Sequence, residues 1–242
     1  MKAGKIILSV ICVLMTTTPL QAAEKLVIAS IEGTVHTLIS GKVVAEAYRR
    51  IGIEAVVRHY PGKRSVFISN RGDSDGELYR VAGMNKDYPN LLMVPVPIDN
   101  FDGMVFTKQT EFTVNGWESL KPYKVGVRRG IRFSDEGTGS VEGIYLETVS
   151  SNKQLFLMLE EGRVDIIVIA RLNGLQMQQN FKIPGIRPLE PPIESYPLYH
   201  YLHKKNSHLM PEITAALQEM EKEGLIKKIR DQIIAEMFGV SK

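Results

Sequence analysis

A chain of 242 residues, 44% of them hydrophobic, is long enough for two lobes with a core in each. Its 30 basic and 27 acidic residues nearly balance and form no basic block, which gives no support to nucleic-acid binding. The single cysteine, Cys12, excludes a disulfide framework.

The first 23 residues read as a secretory signal peptide. Lys2 and Lys5 precede the apolar run Ile6 to Leu14, and the small residues Ala22 and Ala23 offer the cleavage point. Ile11 before Cys12 argues against a lipoprotein signal, and the mature chain then lacks any thiol nucleophile. No later stretch approaches the roughly 20 apolar residues a membrane-spanning helix needs. The expectation is a periplasmic protein, secreted through its signal peptide.

Leu26 to Ala29 reads as the first strand, and Glu32 stands just past its tip. A helix follows from about Leu38 to Ile51, with Val44, Ala47, Tyr48 and Ile51 on one face and Gly52 closing it. Ile53 to His59 is a second strand. Pro61-Gly62 turns the chain into a helix around Lys63 to Asn70 that carries Arg64. Gly72, Asp73 and Asp75 then lead into a short strand ending on Arg80. Leu91 to Val96 is a strand bounded by Pro95 and Pro97, and Gly103 to Thr107 is another.

Tyr123 to Arg128 is a strand that stops at Arg129-Gly130, before a short helix over Ile131 to Glu136 and a strand near Gly143 to Glu147. Ser150 or Ser151 caps the helix bearing Leu155, Met158 and Leu159, which Gly162 ends. Asp165 follows, and then the β-branched run Ile166 to Ala170, with Arg171 and Asn173 at its polar tip. The Gly162 unit repeats the Gly72 unit, which predicts two α/β lobes of similar build. Leu198 to Leu202 is a strand returning to the first lobe. Two amphipathic helices finish the chain: Pro211 opens one with Ile213, Leu217 and Met220, and Gly224 separates it from a last one with Leu225, Ile229, Ile233 and Met237. That last stripe is expected to pack on the first lobe.

The Gly72-to-Asp75 and Gly162-to-Asp165 units, the strand Lys124-Val125-Gly126-Val127 before Arg129-Gly130, and the ending Leu209-Met210-Pro211 through Gly224-Leu225-Ile226 resemble the type II periplasmic solute-binding proteins of ABC importers, in the polar amino-acid branch. The resemblance implies an α/β fold of two lobes, two mixed sheets flanked by helices, joined by a double-crossing hinge. It places lobe 1 at 24–107 plus 198–242 and lobe 2 at 108–197, with crossings near Phe106 to Lys108 and Pro197 to Tyr199. The partners it implies are a small-molecule ligand and a membrane ABC permease, or a membrane sensor using the same cleft; the chain would act as a monomer without cofactor or metal. A dehydratase-like enzyme on the same scaffold is the remaining alternative, with Glu32 as its one acid/base candidate.

Bidentate arginine is the simplest holder of a carboxylate or phosphate, and Arg80 and Arg171 occupy equivalent strand tips. Arg64 is a third candidate. Arg129 and Gly130 begin a strand-to-helix turn whose free N–H groups suit an anion. Glu32 suits a cationic group, while Phe101, Tyr196 and Tyr60 offer rings for stacking. The sequence departs from amino-acid binders at two points: Arg80 follows Glu77-Leu78-Tyr79 without a serine/threonine-rich stretch, and Ala170-Arg171 stands where an acidic residue holds the ligand ammonium. His200 and His203, three apart on a strand, make a poor metal pair.

Overall fold

The structure, a computed structural model, describes residues 25–32 and 34–239. The signal peptide and its cleavage point, including Cys12, lie outside them. Chain order is β1 (Lys25–Ile31), α1 (Val35–Arg50), β2 (Glu54–Tyr60), α2 (Gly62–Arg71), β3 (Gly76–Val81), β4 (Leu91–Thr107), β5 (Lys124–Arg128), α3 (Arg132–Gly139), β6 (Tyr145–Val149), α4 (Asn152–Glu160), β7 (Ile166–Ala170), α5 (Arg171–Phe181), β8 (Arg187–His203), α6 (Met210–Lys222) and α7 (Leu225–Phe238). Among the described residues no helix is long and apolar enough to cross a membrane.

The two repeated units fold alike. Gly72 and Gly162 both take left-handed backbone, at φ 83° and 68°, where a side chain would be strained. Three residues on, each aspartate ties its helix to the start of the strand beside it. Asp75 Oδ2 accepts from Val27 N at 2.7 Å while Asp75 N donates to Val27 O at 2.7 Å. Asp165 does the same to Lys124, at 2.8 and 2.9 Å. Each carboxylate thus fixes the register of a parallel pair, β1 with β3 and β5 with β7.

The two mixed sheets join into one, of order β2-β1-β3-β8-β4-β7-β5-β6. The join comes from β4 and β8, 17 residues each, which run antiparallel to one another through both lobes. The sequence predicts only Leu91 to Val96 and Gly103 to Thr107 of the first and Leu198 to Leu202 of the second. Pro95 and Pro97 sit instead where the β4–β8 register shifts, between Met93 and Pro97, so their missing N–H groups cost no regular ladder bond.

In the first lobe α1 and α6 cover one face of the sheet through Ile28, Val44, Tyr48, Leu78, Ile98, Ile213 and Leu217. In the second, α4 packs on one face through Leu155, Phe156 and Leu159, while Val114, Leu120, Leu189 and Ile193 close the other. The last helix does more than pack on the first lobe. Ile233 of α7 shares a cluster with Val35 and Ile39 of α1 and with Leu172 of α5, a second-lobe element.

His200 is wholly buried, donating from Nδ1 to Glu77 O at 2.9 Å and accepting the Tyr48 hydroxyl at Nε2, 3.0 Å away. His203 turns to the opposite side, where its ring lies over Gly72. Burial pushes the His200 ring down to about 4 from 6.5. The fold therefore holds it neutral, its contribution is complete above pH 6.5, and stability falls as pH drops toward 4, by roughly 3 kcal/mol in all. Urea midpoints at pH 4.5 and pH 7 measure this; His200→Gln is expected to flatten the difference, and an unchanged slope in that variant would assign it to other groups.

Candidate functional site

The ends of β1, β5 and β7 all point to the place where β4 and β8 pass between lobes, so α1, α3 and α5 begin there. This is where open α/β sheets receive ligands. β4 gains a second partner at Gly103: it pairs with β8 along its length, and from Gly103 to Thr107 it also pairs with β7. Asp99, Asn100, Phe101 and Asp102, the residues just before that point, lie opposite Leu198, Pro197, Tyr196 and Ser195.

Asp99 and Asp102 anchor an ion network across this crossing. His36 Nδ1, in the first turn of α1, donates to Asp99 Oδ2 at 2.6 Å. Arg230 of α7 reaches Asp99 Oδ1 at 3.0 Å, Asp102 Oδ2 at 3.2 Å and the Asn100 carbonyl at 3.4 Å. Arg171, at the start of α5, donates Nε to Asp102 at 3.2 Å and grips Glu190 with both terminal nitrogens, at 2.6 and 3.0 Å. Ser195 Oγ completes Asp102 at 2.7 Å. The Asp99 side chain is fully buried, so these charge-assisted bonds compensate a large desolvation cost. They also connect α1, both crossing strands, α5 and α7 in one chain of contacts.

Beside the network runs a line of rings from both lobes. His36 lies 6.0 Å from Tyr79 and 6.0 Å from Phe101, centroid to centroid. Phe101 meets Phe133 of α3 edge-on at 5.0 Å and Tyr196 at 6.2 Å. Trp117 continues the line, 6.1 Å from Phe133, and its Nε1 donates to Glu194 at 3.3 Å. Gly103 makes room for this: a Cβ there would stand 2.6 Å from the Phe133 ring. Hydroxyls also meet here, with Tyr79 Oη 2.7 Å from Thr34 Oγ1, which in turn caps α1 by accepting from Thr37 N.

Phe101, Tyr196 and Arg171 are thus at the crossing. Arg171 opens α5 rather than ending a strand, because β7 passes directly into that helix. Arg80 turns inward: its Nη2 lies 2.5 Å from the fully buried Glu77 carboxylate and donates to Gly62 O at 2.9 Å. Glu32 is exposed and lines a recess of about 470 Å³ with Thr34, Thr37, His59, Gln176 and Met237. Arg64 is exposed on the first turn of α2. Arg129 and Gly130 form the exposed turn before α3, with Arg129 Nη2 3.3 Å from Thr148 Oγ1. Tyr60 ends β2, with β1, β3 and β8 between it and β4. Sequence reasoning missed His36, Asp99, Asp102, Phe133, Glu190 and Arg230. The one available signal was Asp99-Asn100-Phe101-Asp102, two acids interrupting an apolar strand.

No protein-family model matches the chain, and no curated protein matches it in sequence. Solved structures do match in fold. An ancestral arginine-binding protein bound to arginine is 18% identical, at TM-score 0.61 over 88% of this chain and 97% of its own. The substrate-binding protein AbpA of an amino-acid ABC transporter from Streptococcus pneumoniae, bound to L-arginine, is 14% identical, at TM-score 0.62 over 88% and 96%. A histidine kinase sensor domain with similarity to periplasmic binding proteins is also 14% identical, at TM-score 0.62 over 88% and 96%. These likenesses establish the two-lobed periplasmic-binding-protein fold.

Proposed function

We propose that this chain is an extracytoplasmic solute-binding protein that captures a small polar molecule between its lobes and presents it to a membrane ABC permease. The observation that carries the reading is the crossing itself: two long strands link the lobes, and side chains from both converge there. On this reading the lobes divide at 100–102 and 195–197, just before β4 gains β7 as a second partner, and each half moves on that hinge as a body. The ring line and the Glu32 recess, which Gln176 of α5 helps to form, both belong to the space between lobes. The signal-peptide pattern of the first 23 residues agrees with a periplasmic location.

The likeness to a histidine kinase sensor domain favours one second reading, in which the same cleft reports its occupancy to a membrane sensor. Both readings require reversible capture and neither requires turnover. A thermal-shift screen of the mature chain against amino acids, dicarboxylates, small phosphates, polyamines and neutral heterocycles tests what they share. A ligand at 100 times its dissociation constant adds about 2.7 kcal/mol, which corresponds to a rise of roughly 5–10 °C for a chain of this size. Failure of every class to raise the melting temperature contradicts both.

A further inference from the structure

We propose, with the solute-binding reading as premise, that the cleft takes a flat, uncharged heteroaromatic ring of nucleobase size, stacked between Phe101 of the crossing and Phe133 of the second lobe. Three observations lead there. Phe101 stands on the hinge strand and Phe133 on α3 of the second lobe, and they meet edge-on at 5.0 Å, with room left by the missing side chain at Gly103. Lobe opening parts these rings and lobe closure presses them together, which suits an inserted π-face. Phe101 and Phe133 are also both partly exposed, unlike the core rings Phe106 and Phe156.

The second observation is electrostatic. Arg80 near the end of β3 and Arg171 at the start of α5 are engaged with Glu77 and with Asp102 and Glu190. An ionic ligand group would draw either one from a carboxylate that is itself buried or networked, whereas a neutral ring disturbs neither pair. The third is the polar chemistry at the ring line. Tyr79 Oη and Thr34 Oγ1 are paired hydroxyls, able to donate or accept, and so can meet the ring nitrogens and carbonyls of a heterocycle.

Trp117, the only tryptophan, lies 6.1 Å from Phe133 and supplies the readout. Adenine, uracil and nicotinamide serve as neutral ring probes, and L-arginine, L-glutamate and succinate as charged ones. The expected result is saturable change of Trp117 fluorescence with at least one ring probe and none of the charged ones. Phe101→Leu and Phe133→Leu should each weaken that binding by about tenfold or more. Tyr79→Phe, which removes one oxygen and keeps the ring, should weaken it severalfold and guards against loss of fold in the leucine variants. Ring-probe binding that survives all three substitutions overturns the proposal. Binding of a charged probe alone, or silence from both sets, overturns it; the solute-binding reading falls only if the thermal-shift screen is silent in every class as well.

Discussion

Replacing Arg80 with alanine is expected to destabilise the protein by about 3–5 kcal/mol, the usual cost of leaving one partner of a buried ion pair uncompensated. Glu77 is fully buried, and among the described residues its carboxylate meets, besides Arg80, the hydroxyls of Ser65 and Ser69, at 2.6–2.8 Å. Burial raises its carboxyl, and Arg80 is the foremost of the groups that oppose the rise. Without Arg80 the carboxyl climbs further above its unfolded value of roughly 4.3. A folded-state value above the unfolded one means stability is present at low pH and lost as pH rises. The defect should therefore be smaller at pH 4 than at pH 7, and Glu77→Gln in the same chain should recover much of it. Urea unfolding of the wild type and the two variants at both pH values measures this. A variant with wild-type stability and lost ligand binding would return Arg80 to the cleft.

Gly174→Ala is the second large effect. In the middle of α5 alanine should help by up to about 1 kcal/mol on helix propensity alone. Packing decides otherwise: a Cβ at 174 would stand 2.1 Å from the Phe106 ring, and Phe106 is fully buried against Phe156 at 5.9 Å. Overpacking of this kind costs about 1–3 kcal/mol, so the sum is destabilising. The displaced element is α5, whose first residue, Arg171, holds Asp102 and Glu190. Phe106→Leu combined with Gly174→Ala should recover part of the loss, a non-additivity that a double-mutant cycle by thermal melting would reveal. A stabilised single variant would mean that Phe106 has room to retreat.

The fold was largely legible because its signals are local. Gly72 with Asp75 and Gly162 with Asp165 mark two equivalent units, and each aspartate bonds the strand beside it in the same way. The long β4 and β8 were not legible as continuous strands. Pro95 and Pro97 read as breaks and β8 as no more than Leu198 to Leu202, whereas pairing between two strands distant in sequence tolerates prolines at register shifts. The site was less legible for the same reason. Asp99 and Arg230 meet across 131 residues, and nothing local announces the pair. Arg80 shows a subtler failure: in a regular strand, residues three apart face opposite sides, so Glu77 should point away from it. The register irregularity between them against β8 turns both to one side. Phe101 and Tyr196 were visible as aromatics near the crossings, whereas Phe133, inside the predicted short helix, carried no signal that it would meet Phe101.

The central claim is that two lobes hinge at the β4–β8 crossing around a captured solute. Spin labels at Lys63→Cys on α2 and Glu142→Cys after α3, both exposed, report the distance between lobes by double electron–electron resonance in the mature chain, free of Cys12. With the solute that gives the largest rise in melting temperature at saturation, the distance distribution should move toward its shorter members. The same distribution with and without a solute already shown to bind would contradict the account.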